Sequence, residues 1–112
     1  MITIQIDALG FQHINWNNIE KKEYGGIKGK AIWQTFHYGN IRIRKVEYTP
    51  NYIADHWCYK GHILFILKGE MKTELYDGRV VFMMENMSYH VGDNDTPHRS
   101  SSDKGALLFI VD

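Results

Sequence analysis

Along nearly the whole chain, apolar and polar residues alternate in short runs broken by Gly, Asn, Asp or Pro, and no stretch of twelve or more residues carries a helical repeat. Successive side chains of an extended backbone leave on opposite faces, so this period of two commits the chain to an all-β fold. Residues 31–38 and 41–49 read as partners across the Gly39-Asn40 turn. Residues 62–67 are apolar at both parities, which predicts a central strand covered on both sides. Residues 71–75 and 80–84 flank Asp77-Gly78, the signature of a type I′ hairpin. Further strands are predicted at 87–91, at 98–102 after Pro97, and at 106–111 after Asp103-Lys104-Gly105. Within 41–49, Ile41 and Ile43 have one parity and Val46 and Tyr48 the other, so a bulge is expected near Arg44-Lys45. The N-terminal third is the least patterned. Ile2, Ile4 and Ile6 form an alternating stripe, and 7–23, with Asn15, Asn17 and Asn18, reads as loop or at most a short helical turn. Seven to nine short strands predict a sandwich or small barrel, one domain spanning 1–112.

The charge balance narrows the class of partner. Thirteen Lys plus Arg stand against thirteen Asp plus Glu, so no global field recruits nucleic acid or anionic lipid. The longest apolar runs, 63–67 and 106–111, fall far short of the ~18 residues of a membrane-spanning helix. No basic segment followed by an apolar one marks an export signal at the N-terminus. The single cysteine, Cys58, excludes an internal disulfide. The expectation is a soluble cytoplasmic protein that binds neither nucleic acid nor membrane.

Histidine carries the chemistry. Of six, three fall with the cysteine into two compact clusters, Asp55-His56-Trp57-Cys58-Tyr59-Lys60-Gly61-His62 and Thr96-Pro97-His98-Arg99-Ser100. In an extended segment His56 and Cys58 share a face, and His62 opens the next strand after the break at Gly61. If the strand of His98 lies beside them, four donors converge. Imidazole and thiolate together favour zinc, iron, copper or nickel over calcium or magnesium. The competing reading makes these histidines hydrogen-bonded β residues and Cys58 a small core hydrophobe.

The same residues resemble the cupin superfamily, small double-stranded β-helix barrels of jelly-roll type. The first cupin motif runs Gly, five residues, His-x-His, three or four residues, Glu, six residues, Gly. Here the frame reads Pro50, five residues, His56-Trp57-Cys58, three residues, His62, six residues, Gly69. Every spacing matches, while Pro50 stands for Gly, Cys58 for the second His and His62 for Glu. Of the second motif only His98 survives, with Met87, Asp93, Asp95 and Ser102 at its other marked positions, and seventeen residues separate Gly69 from Met87. The run through Asp55-His56-Trp57-Cys58 is similar to a group of small cupins named for an Asp-His-Cys-Trp (DHCW) motif. The resemblance covers residues 28–112 and leaves 1–27 as an N-terminal strand and irregular segment. It implies a cupin barrel with His56, Cys58, His62 and His98 at the metal-ligand positions for one transition-metal ion, and a small-molecule ligand in the barrel cavity. With Cys58 as fourth ligand the site would be closed, favouring a structural or storage role. With Cys58 standing back, the ion would keep an open position for chemistry. A non-catalytic ligand-binding or sensor module, with or without metal, is the alternative.

Other features weigh less. Gly25-Gly26-Ile27-Lys28-Gly29-Lys30 lacks the first Gly and the Ser or Thr of a phosphate loop, and Asp93-Asn94-Asp95 lacks the fixed Gly and distal Glu of a calcium loop. Ser88, Ser100, Ser101 and Ser102 have no nucleophile elbow around them. Arg42 and Arg44 either line an anion-holding cavity or form a wet outer face, the latter being favoured because arginine is rarely buried unpaired. Glu47 and Arg99 are candidates for an acid/base group and an anion clamp. Trp33, Trp57, Phe65 and Tyr89 are expected in the core, the lesser alternative being that one or two of them wall a ligand pocket, with His13, His37 and His90 outside the site. Unpaired edge strands and the Ile2, Ile4, Ile6 stripe predict a homodimer.

Overall fold

The computed structural model describes Ile6 and residues 9–112. Ile2 and Ile4 therefore lie outside the described residues, while Ile6 belongs to no strand and is exposed. Nine strands follow: β1 (Lys22–Gly25), β2 (Lys30–Tyr38), β3 (Ile41–Tyr48), β4 (Tyr52–Ile53), β5 (His62–Leu75), β6 (Val80–Met84), β7 (Ser88–Val91), β8 (His98–Ser102) and β9 (Ala106–Val111). All pairings are antiparallel, in the order β1-β2-β3-β9-β5-β8-β4, with β6 and β7 added along β5. One 3-10 turn, Trp16–Asn18, is the only helical element among the described residues, and none of their helices is long and apolar enough to cross a membrane.

The curl of the sheet depends on β5. Its first half lies between β9 and β7, and its second half between β8 and β6, so one strand serves both walls of the barrel. The register against β9 shifts between Ile66 and Lys68, next to Gly69 at φ +84°. A side chain at Gly69 would collide with the Gly105 carbonyl, so only glycine admits this close crossing.

No bulge occurs at Arg44-Lys45. The β2–β3 register is unbroken from Ala31 opposite Tyr48 to Tyr38 opposite Ile41. The alternation simply continues. Ile43 turns outward with Phe36 and Phe109 beneath the segment around Trp16, which meets Phe109 edge-on, and Arg42, Arg44, Val46 and Tyr48 turn inward. The expected wet face of Arg42 and Arg44 is thus the inner wall, made tolerable by a distant carboxylate described below.

The inner faces of β3, β5 and β9 supply the core: Val46, Leu64, Ile66, Leu108 and Ile110, joined by Met71 and Met83. Each such side chain contributes about 1.5–3 kcal/mol by leaving water. Contrary to the sequence expectation, β5 is covered on one face only. His62, Leu64 and Ile66 are buried, whereas Ile63, Phe65 and Leu67 are 48 %, 36 % and 37 % exposed. Phe65 is therefore not core. The hairpin after β5 closes with Gly78 N–H donating to Leu75 O (2.9 Å) and Leu75 N–H to Arg79 O (2.8 Å). Only Gly78 has positive φ there, which makes it a three-residue G1-bulge loop and not type I′. Asp77 accepts the Arg79 N–H and so holds its own backbone in the ordinary region.

Candidate metal centre

Two short-range constraints assemble the donors. Cys58 lies outside the named strands yet forms an antiparallel bridge with His98: Cys58 N–H donates to His98 O (2.7 Å) and His98 N–H to Cys58 O (3.0 Å). Directly opposed residues project to the same side, so thiol and imidazole are neighbours by construction. Gly61 then lies so close to Gly92 and Asp93 that a side chain would overlap their backbone, and its N–H donates to Asp93 Oδ1 (2.7 Å). This contact sets the entry of β5 and places His62 at its first position. One ligand atom from each of Cys58, His62 and His98 lies within 4.8 Å of the others, both histidines being buried.

The tautomers follow from the partners. His98 Nδ1 lies 3.0 Å from the Thr96 carbonyl, which can only accept, so Nδ1 carries the proton and the neutral ring presents its Nε2 lone pair. That Nε2 faces His62 Nε2 at 3.1 Å. His62 Nε2 also meets the Tyr89 hydroxyl (2.8 Å), while its Nδ1 is 3.5 Å from Asp112 Oδ2, within ion-pair reach but not aligned as a hydrogen bond. The carbonyl behind His98 is the kind of support that metal-bound histidines use, while Asp112 faces His62 as a charge without a hydrogen bond. Two nitrogens about 2.0–2.1 Å from one tetrahedral ion stand about 3.3 Å apart, close to the observed separation.

The electrostatics couple Cys58 and His98, each favouring the charged form of the other. Burial raises the Cys58 thiol, but its contact with His98, a backbone hydrogen bond at Lys60 and the charges of His98 and Arg44 outweigh it and leave it below the usual thiol range. For His98, burial is outweighed by Cys58 and the Thr96 carbonyl, and its pKa is raised. Burial lowers His62, with His98 and Arg44 adding to it and Asp112 opposing. Asp112 itself, despite burial, is held far below the ordinary carboxylate range by His62, Arg42 and Arg44. Arg42 grips it through Nε (2.8 Å) and Nη2 (3.0 Å), and Arg44 through Nη2 (2.9 Å).

Of the four candidate ligands, the structure brings three together. His56 lines the same cavity, but its imidazole is exposed and bonded to Asp55 Oδ1 (2.6 Å), outside the Cys58–His62–His98 group. The cavity encloses about 250 Å³ between Trp33, Arg44, Val46, Tyr48, Tyr52 and the donors. Arg99 stacks over Trp57 (4.5 Å) and pairs with Glu74 (2.8 Å); Glu47 is exposed and does not line the cavity. Trp57, half-buried against Tyr76, is not core. Tyr89 and Asp112 were not assigned to the site from sequence. Asp112 had a signal: it continues the buried parity of Ala106, Leu108 and Ile110, as Arg42 and Arg44 continue that of Val46.

No family model matches the sequence, and no curated protein matches it. Solved structures do. An RmlC-like cupin from Shewanella frigidimarina superposes with a TM-score of 0.70 at 15% identity, over 92% of this chain and 90% of its own. A predicted oxalate decarboxylase from Thermotoga maritima gives 0.75 at 13% identity, over 89% and 96%. The iron(II) form of HppE gives 0.70 at 14% identity, over 96% of this chain and 62% of its own. The chain has the cupin fold.

Proposed function

We propose that this protein binds one transition-metal ion, zinc, iron, copper or nickel, through Cys58 Sγ, His62 Nε2 and His98 Nε2, and takes a small molecule in the adjoining cavity. The observation that carries the reading is the pair of buried Nε2 atoms facing each other at 3.1 Å, with the Cys58 thiol grouped beside them. Two lone pairs so placed repel unless a proton or a cation lies between them, and the soft S/N donor set selects a first-row transition metal. Three protein donors leave a coordination position for water or ligand, which an ion so held would use to polarise a bound oxygen. His56 is a fourth donor only if its bond to Asp55 breaks. The iron(II) neighbour supports the reading, since a similar fold carries a transition metal there.

Elemental analysis of untagged protein tests this. About one equivalent of metal per chain is expected, most of it lost in His98→Ala and retained in His56→Ala. Metal-free protein whose thermal stability ignores both chelator and added zinc would leave the alternative, a ligand-binding module built on a Tyr89–His62–His98 hydrogen-bond chain. We further infer a homodimer in which a second copy covers Ile63, Phe65 and Leu67, the exposed outer row of β5.

A further inference from the structure

We propose that the cavity beside Cys58, His62 and His98 takes a small organic carboxylate with an apolar body, its carboxylate held by the Arg44 guanidinium. The proposal rests on the reading of this cavity as the ligand site and names the class of ligand. Arg44 is 5 % exposed, yet among the described residues its Nε is buried without an acceptor, and Nη2 donates to Asp112. A buried charged donor without a partner is costly, and a ligand oxygen would relieve it. The carboxylate beside it is shared. Arg42 and Arg44 both pair with Asp112, while Arg99 pairs with Glu74. Arg44 thus keeps donor capacity that Asp112 does not use.

The shape of the site favours a planar anion. Trp33 covers one face of the Arg44 guanidinium at 4.4 Å, leaving its edge for in-plane hydrogen bonds of the kind a carboxylate accepts in pairs. Val46, Leu64 and Ile110 line the same cavity. An inorganic anion would meet the guanidinium but leave this apolar wall unfilled, whereas a carboxylate carrying a ring or short chain satisfies both.

The test titrates metal-free and zinc-loaded protein with benzoate, with neutral benzyl alcohol and with inorganic phosphate, read by calorimetry and by tryptophan fluorescence. Benzoate is expected to bind both forms, about tenfold or more tighter than the other two, and Arg44→Gln to weaken it about tenfold. Arg44→Lys, which keeps the charge but not the fork, should weaken it several-fold and serves if Arg44→Gln does not fold. Equal binding of benzoate and benzyl alcohol, phosphate binding as tightly as benzoate, or benzoate binding unchanged in the Arg44 variants overturns the proposal. Metal content measured on the same samples, after incubation with zinc, iron(II), copper or nickel, separates the two readings: metal uptake without benzoate binding sinks this one alone, and benzoate binding without uptake of any of the four sinks only the metal site.

Discussion

At the end that holds the candidate site, the two faces of β3, β5 and β9 invert the usual order, while farther along the same inner faces carry the apolar core. Toward the cavity they present Arg42, Arg44, His62 and, just past β9, Asp112, all but Arg42 fully buried. Toward the outside they present Ile43, Ile63, Phe65, Phe109 and Val111. Over Ile43 and Phe109 the N-terminal segment supplies cover, while Ile63 and Phe65 stay 48 % and 36 % exposed. The difference separates two kinds of cost. A polar inner face is expensive unless every charge has a partner, so its residues are held by specific ion pairs. An apolar outer face costs little in a monomer and becomes informative only when something sits on it.

Breaking the inner face should have the largest effect. Asp112→Ala removes the one carboxylate shared by two guanidiniums and leaves Arg44 buried and unpaired, so a loss of about 3–5 kcal/mol in urea-derived unfolding free energy is expected. A loss below ~1 kcal/mol would show that the pair is solvated and that the inner wall is not dry. On the outer face, Phe65→Ser, which uncovers a ring 36 % exposed, should cost about 1–2 kcal/mol at nanomolar concentration. At micromolar concentration it should shift light-scattering mass from two chains to one. A wild-type mass of one chain throughout would make the outer row a bare surface.

The smallest effect sharpens the inner face by pH. Burial, then the neighbouring Tyr52, holds the Tyr48 phenol above the ordinary tyrosine range, and the two rings stack at 4.3 Å. The folded state therefore keeps its proton where the unfolded chain has lost it. That contribution is fully present below about pH 10, the unfolded value, and declines as pH rises above it. Wild-type unfolding free energy should fall between pH 9.5 and 11, and Tyr48→Phe should flatten part of that slope; identical slopes would mean the hydroxyl is hydrated.

The sequence exposed those parts of the molecule whose signal is local. Alternation and turn residues located β2, β3, β5, β6, β7, β8 and β9 within a residue or two, apart from the second half of β5 joining its first without a break. β1 and β4 were illegible because four exposed residues and a two-residue bridge carry no alternation. In the site, motif spacing drew attention to Cys58, His62 and His98. It could not foresee that Asp55, next in sequence, would hold the His56 ring outside the group. Nor could it turn Arg42 and Arg44 inward, since the carboxylate that makes this tolerable lies some seventy residues away. Parity was readable, but the sign of the face was not.

The register break of β5 falls between Ile66 and Lys68, beyond the donor at its first position. A strand that slipped by one residue along its whole length would rotate His62 to the outside and bring Ile63 to the cavity. Because the shift lies downstream, even-numbered residues from His62 to Ile66 face inward and odd-numbered ones from Met71 do so beyond it. The glycine crossing thus works as a gear change, letting one strand turn a buried face to both walls while the imidazole keeps its place at the start.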